Sequence, residues 1–146
     1  MDIQSRKAYT KALEARHFGV YGICDEAQLL SVDAEQAFWY GAFIASILTA
    51  QAAIESYLRY YYGSRSVKTT FYDLVEDGRT RGYLTADQSD RLHWLRKLRN
   101  RWVHAHDPAN DGELFEHLED LRSEQGAQAK KAVEFMFEML FIDPGL

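Results

Sequence analysis

Ten consecutive residues, Leu98-Arg99-Asn100-Arg101-Trp102-Val103-His104-Ala105-His106-Asp107, set an arginine, an asparagine and two histidines at the end of what reads as a helix. An imidazole can take up or release a proton near neutral pH. A guanidinium offers a planar fork of donors that matches two oxygens of a phosphate. On a wheel of about 100° per residue with Leu95 at zero, Arg99 falls near 40°, inside a stripe of Leu92, Leu95, Trp102, Val103 and His106. An arginine on an apolar side is costly unless an anion needs it. Asn100 and His104 are four residues apart and can touch, which would fix the orientation of the imidazole. His104 itself falls about 140° from Arg99. One cleft can use both only by wrapping the helix end, by an unwound last turn before Pro108, or with the help of a second chain.

The charge distribution points the same way. The formal net charge is −5 over 146 residues. Arg91 to His106 holds Arg91, Arg96, Lys97, Arg99 and Arg101 and no acid, whereas the rest of the chain has twelve basic and twenty-two acidic residues. A basic site on an acidic body suits a phosphate-bearing partner held at one place. The plainer reading is a solvated basic helix face. Arg96, Lys97 and Arg101 point away from the stripe, as candidate contacts to a nucleic-acid backbone or as ordinary surface charges. With 47% hydrophobic and 14% aromatic residues the chain can bury a core, and its length is that of one domain. Cys24 is the single cysteine, which excludes an internal disulfide and a cysteine-rich zinc motif and fits a reducing, cytoplasmic setting. Asp2 follows Met1 with no basic and then apolar run after it, so no signal peptide is expected. The apolar stretch from Ala37 to Ile54 is broken by Ser46, Thr49 and Gln51, and reads as a buried helix, not a membrane span. His93, His104 and His106 lack a second ligand cluster, so neither a metal nor another cofactor is expected.

The elements that must position these residues read as helices throughout, an all-α fold. Asp2 to Arg16 forms a first helix, and His17 to Val32 reads as a loop. Asp33 caps a long helix with Gln36 completing a capping box, ending near Tyr62 with Gly63 as the C′ residue. A shorter helix spans Ser66 to Glu76 and closes in the turn-rich Asp77 to Gly82. Thr85, with Gln88 three residues on, caps the motif helix. Asp107-Pro108 stops that helix, because the residue before proline disfavours helical angles. Helices over Glu113 to Arg122 and Ala127 to Phe141 follow, joined through Gly126. No repeat or domain boundary interrupts residues 1–146.

Arg99-Asn100-x-x-x-His104 resembles the signature of the HEPN superfamily, an arginine, a polar residue, then a histidine after four to six intervening positions. Four residues separate Arg99 from His104 and six separate it from His106. The resemblance best covers 34–106 and leaves 1–32 as an extension of unassigned role. It implies an up-and-down bundle of four to five main helices with the motif late in the chain. It also implies a metal-independent endoribonuclease, of the sort found in toxin–antitoxin and antiviral defence systems, with an antitoxin protein as a partner. The chemistry of the residues agrees. Internal RNA cleavage needs a base for the ribose 2′-OH, an acid for the leaving 5′-oxygen and positive charge on the phosphate. His104 serves as base or acid, Arg99 holds phosphate oxygens, and Asn100 orients His104 or donates to the phosphate. Two proton transfers and one well-placed histidine per chain point to a homodimer with a composite site at its two-fold axis. RNA is the expected substrate, and DNA, lacking the 2′-OH, is spared.

Each residue carries a competing assignment. Arg99 could be a structural arginine paired with Glu55 on the long helix, and such a pair could also hold Arg99 in its catalytic position. His104 could simply complement the helix dipole. His106 reads as a helix-end or RNA-contact residue, because the Asn100 position fits the shorter spacing. Trp102 reads as core or dimer interface. Tyr57, Tyr60, Tyr61 and Tyr62 read as core packing, with a surface for stacking bases as the alternative. A second function class also fits, a non-catalytic dimeric module that binds RNA, a nucleotide or a partner protein.

Overall fold

The core is laid down by small and branched residues at helical spacing. Ile47, Ala50, Ile54 and Leu58 repeat every three or four residues and are fully buried, which lines up one face of a helix. In the computed structural model, residues 1–16, 24–62, 69–103 and 117–141 are described, and every regular element among them is a helix. These are α1 (Ile3–Arg16), α2 (Asp25–Trp39), α3 (Phe43–Tyr61), α4 (Phe71–Arg81), α5 (Ala86–Val103) and α6 (Leu118–Leu140). The chain is all-α, as the missing strand patterns predict. Among the described residues no helix is long and apolar enough to cross a membrane.

The expected long helix from Asp33 to Tyr62 is two helices. Asp33 is an exposed residue in the middle of α2, and α2 already begins at Asp25. Residues 25–32, read as loop, are therefore helical. The break is at Gly41, whose φ is +79°. The amide of Gly41 donates to Phe38 O and that of Ala42 to Ala37 O, at 3.2 and 2.9 Å. These two bonds satisfy the last carbonyls of α2 in a Schellman turn, a conformation that glycine adopts without steric cost. The apolar pattern runs through the turn because α2 and α3 fold back on each other. Ser46 Oγ donates to Ala34 O at 2.8 Å across the pair, and Ala34, Ala50 and Ala53 are fully buried.

Two further boundaries differ from expectation. The helix expected over 66–76 runs on through Asp77 to Arg81, with Thr70 as its N-cap accepting from the Asp73 amide at 3.1 Å. Its end is Gly82, at φ +85°. The helices expected at either side of Gly126 are one, α6. Gly126 is a point of close approach in place of a joint, since a Cβ there would lie 3.1 Å from the Phe43 ring. The start of α5 is as expected. Thr85 and Gln88 exchange their side-chain and amide groups at 2.9 and 3.0 Å in a reciprocal capping box. The expected caps at Gly63 and Asp107-Pro108 lie outside the described residues.

α3 is the centre of the packing, against α2 on one side and α6 on another, with α4 and α5 paired as a second antiparallel unit and α1 lying over α2 and α6. α6 buries Ala129, Ala132, Val133, Phe135 and Met136 almost completely. α1 is tied down by Trp39 Nε1, which donates to the buried Thr10 Oγ1 at 2.6 Å. Glu35 is buried beside Glu14, and burial first, then the Glu14 carboxyl, push its pKa up to about 8.

Candidate functional site

α5 buries Ser89, Leu92, Leu95 and Leu98. Each such leucine contributes about 1.5–3 kcal/mol when withdrawn from water. In the last turn two side chains reach across to α6. Trp102 Nε1 donates to Gln128 Oε1 at 3.0 Å. Arg101 forks onto Glu124 at 2.7 and 3.3 Å while lying 4.5 Å from the Trp102 ring centre.

Arg99 stands clear of these contacts. It is exposed, and no hydrogen bond or ion pair joins it to another described residue. This corrects the expectation that it sits within the apolar stripe. The buried stripe runs through Leu92, Leu95 and Leu98 to the half-buried Trp102, and Arg99 lies outside it. The expected pairing with Glu55 is also replaced. Glu55 Oε1 accepts from its own helix, from Arg59 Nε at 3.1 Å and Nη2 at 2.7 Å. Arg59 Nη2 donates in addition to Thr69 O at 2.6 Å, fastening α3 to the entry of α4. Glu55 therefore holds Arg59, at the edge of a cleft of about 870 Å³ shared with Cys24, Ser56, Tyr60 and Tyr61.

Asn100 is half-buried and Lys97 exposed, both on the same final turns as Arg99. Arg91 and Arg101 are neutralised by Glu138, at 2.6 Å, and by Glu124. The positive charge left at this end of the helix comes from Arg96, Lys97 and Arg99. His104 and His106, the two candidate catalytic histidines, lie outside the described residues, so Arg99, Asn100, Arg96, Lys97 and Arg101 are the part of the motif whose geometry is in view. Trp102 is half-buried against α6, as core packing predicts.

Arg96 takes part in a relay that sequence reasoning passes over. Its Nε donates to His93 Nδ1 at 3.4 Å, and His93 Nε2 meets Glu76 Oε1 at 2.7 Å. The two bonds together put the imidazole proton on Nε2. Tyr72 completes the group, its ring 5.1 Å from His93 and 5.2 Å from the Arg96 guanidinium. The signal is present in the spacing. Tyr72 and Glu76 share one face of α4, and His93 and Arg96 share one face of α5, but only the pairing of the two helices joins them. The tyrosines at the end of α3 and its C-cap likewise divide, with Tyr57 half-buried and Tyr60, Tyr61 and Tyr62 exposed. Tyr62 stacks on Tyr83 at 4.4 Å.

Among the described residues no group of three or more His, Cys, Asp and Glu side chains is arranged to hold a metal ion. Comparison with known protein families, curated proteins and solved structures finds no match for this chain.

Proposed function

We propose that the chain is a metal-independent endoribonuclease built on a HEPN-like helical bundle. The observation that carries the reading is Arg99, an exposed arginine without a partner among the described residues, five positions before His104 in a motif of Arg-Asn-x-x-x-His form. A structural arginine would be expected to have a carboxylate or carbonyl beside it. Its neighbours Arg91 and Arg101 have theirs.

In the proposed reaction the His104 imidazole removes the 2′-OH proton. The 2′-oxygen attacks the adjacent phosphorus, and the bond from phosphorus to the 5′-oxygen breaks. The leaving 5′-oxygen takes a proton from the imidazolium of a second His104, supplied by the other chain of a homodimer. Arg99 holds the non-bridging oxygens as charge builds on them. Asn100 orients His104 from one turn away. Products carry a 2′,3′-cyclic phosphate and a 5′-hydroxyl. Lys97 and Arg96 extend the positive surface along the RNA backbone, Arg96 from its hydrogen bond with His93. A toxin in an antiviral or toxin–antitoxin system, restrained by an antitoxin, is the setting this activity suits.

The test is cleavage of single-stranded and structured RNA in EDTA by the wild type and by Arg99→Ala. The proposal expects wild-type cleavage and at least a hundredfold loss in the variant, with an unchanged helical spectrum. RNA retention without cleavage by the wild type would mark a binding module instead.

A further inference from the structure

On the side of α6 turned away from Arg101 and Trp102, a cleft of about 470 Å³ is lined by Arg6, Phe38, Phe43, Arg122, Gly126 and Lys130, among others. Three of its lining residues are cations and none is an acid, in a chain with a net charge of −5. None of the three is in an ion pair with a described residue. Arg6 donates to backbone oxygens of Trp39, at 2.8 Å, and Met1. Arg122 donates to Gly41 O and, at 2.9 Å, to Gln125 Oε1. All these acceptors are neutral. They fix the two guanidiniums without cancelling their charge, and each keeps donors to spare from its five N–H groups. The carboxylate of Asp2 accepts the Ser5 amide at 2.7 Å, which with the nearby Arg6 charge holds its pKa down, and it makes no ion pair with Arg6 and is not part of the lining.

The aromatic floor explains how like charges are held close. The Arg6 and Arg122 guanidiniums lie 5.5 and 5.0 Å from the centre of the Phe43 ring, where the ring's electrons attract cations. Lys130 lies 4.7 Å from the Tyr9 ring centre. Gly126 lets α6 approach Phe43 and keeps the cleft open beside it. Fixed arginine forks, a lysine and an apolar wall are the complement of a phosphate attached to a flat or apolar group.

We propose that this cleft binds a small phosphate-bearing molecule of nucleotide size through Arg6, Arg122 and Lys130. The site shares no described residue with the Arg99 motif, and it stands whether or not the chain cleaves RNA. The probes are AMP, adenosine, inorganic phosphate and a short oligoadenylate without terminal phosphates, titrated into the full chain by calorimetry. AMP should bind, adenosine should not, and inorganic phosphate should compete with AMP. Lys130→Gln, which removes no hydrogen bond seen in the fold, should weaken AMP about tenfold, the size of one charge-assisted contact. Arg6→Gln is the second variant, read alongside its helical spectrum. If the oligoadenylate displaces AMP, the phosphate belongs to a polynucleotide; if it does not, the ligand is a free small molecule. Adenosine binding as tightly as AMP, no AMP binding at millimolar concentration, or a folded Lys130→Gln that binds AMP like the wild type would each overturn the proposal.

Discussion

At the residue scale, the side chain that matters most is the one that does least inside the fold. Arg99 is exposed and bonds to no described residue, so Arg99→Ala should change stability by no more than about 0.5 kcal/mol while removing RNA cleavage. Equal melting temperatures with unequal cleavage rates would verify that separation. Glu35 behaves in the opposite way. Its pKa stands at about 8 in the fold against about 4.5 for a glutamate in water, so the folded chain binds the proton more tightly than the unfolded one. Its contribution to stability is fully present below about pH 4.5 and is lost as pH rises through 8. A melting temperature that falls between pH 5 and pH 8, and falls less in Glu35→Gln, is the expected result. A fall of equal size in the variant would assign the pH dependence to other groups.

At the element scale, the turns decide the architecture. Gly41→Ala should cost about 1 kcal/mol or more, because a Cβ is strained at a φ of +79° whether or not there is room for it. Thr85→Ala should cost about 1 kcal/mol by removing half of the capping box. Denaturant midpoints of the two variants check both values. The same two sites show what was legible in the chain. Thr85 and Gln88 could be read directly, because a capping box is a local event three residues long. Gly41 could not, because the apolar pattern is continuous across it from Ala37 to Ala45, and only the burial of both α2 and α3 in one core tells a hairpin from a single long helix. Gly126 misled in the other direction. A glycine in a helix reads as a joint until the Phe43 ring lying against it is known. The Arg99 side of α5 was misread for a related reason. A wheel records angle, not which neighbour ends where, and α6 takes the Trp102 side over the final turns.

At the scale of the whole molecule, the proposed reaction requires two chains. One copy supplies one His104, and the reaction uses an acid and a base. Cleavage rate per chain should therefore fall as the protein is diluted through its dimer dissociation range, with sedimentation giving the dimer fraction at each concentration. A rate per chain that stays constant while the dimer dissociates would assign both proton transfers to a single copy. The acidic body and the basic end of α5 also predict that RNA binding weakens steeply with salt. The measurement that bears most directly on the central claim is the chemistry of the product ends. RNA incubated in EDTA with the wild type and, in parallel, with His104→Ala is analysed by mass spectrometry. Fragments ending in 2′,3′-cyclic phosphate from the wild type alone are the result predicted here. Intact RNA with the wild type, or the same fragments from His104→Ala, would contradict it.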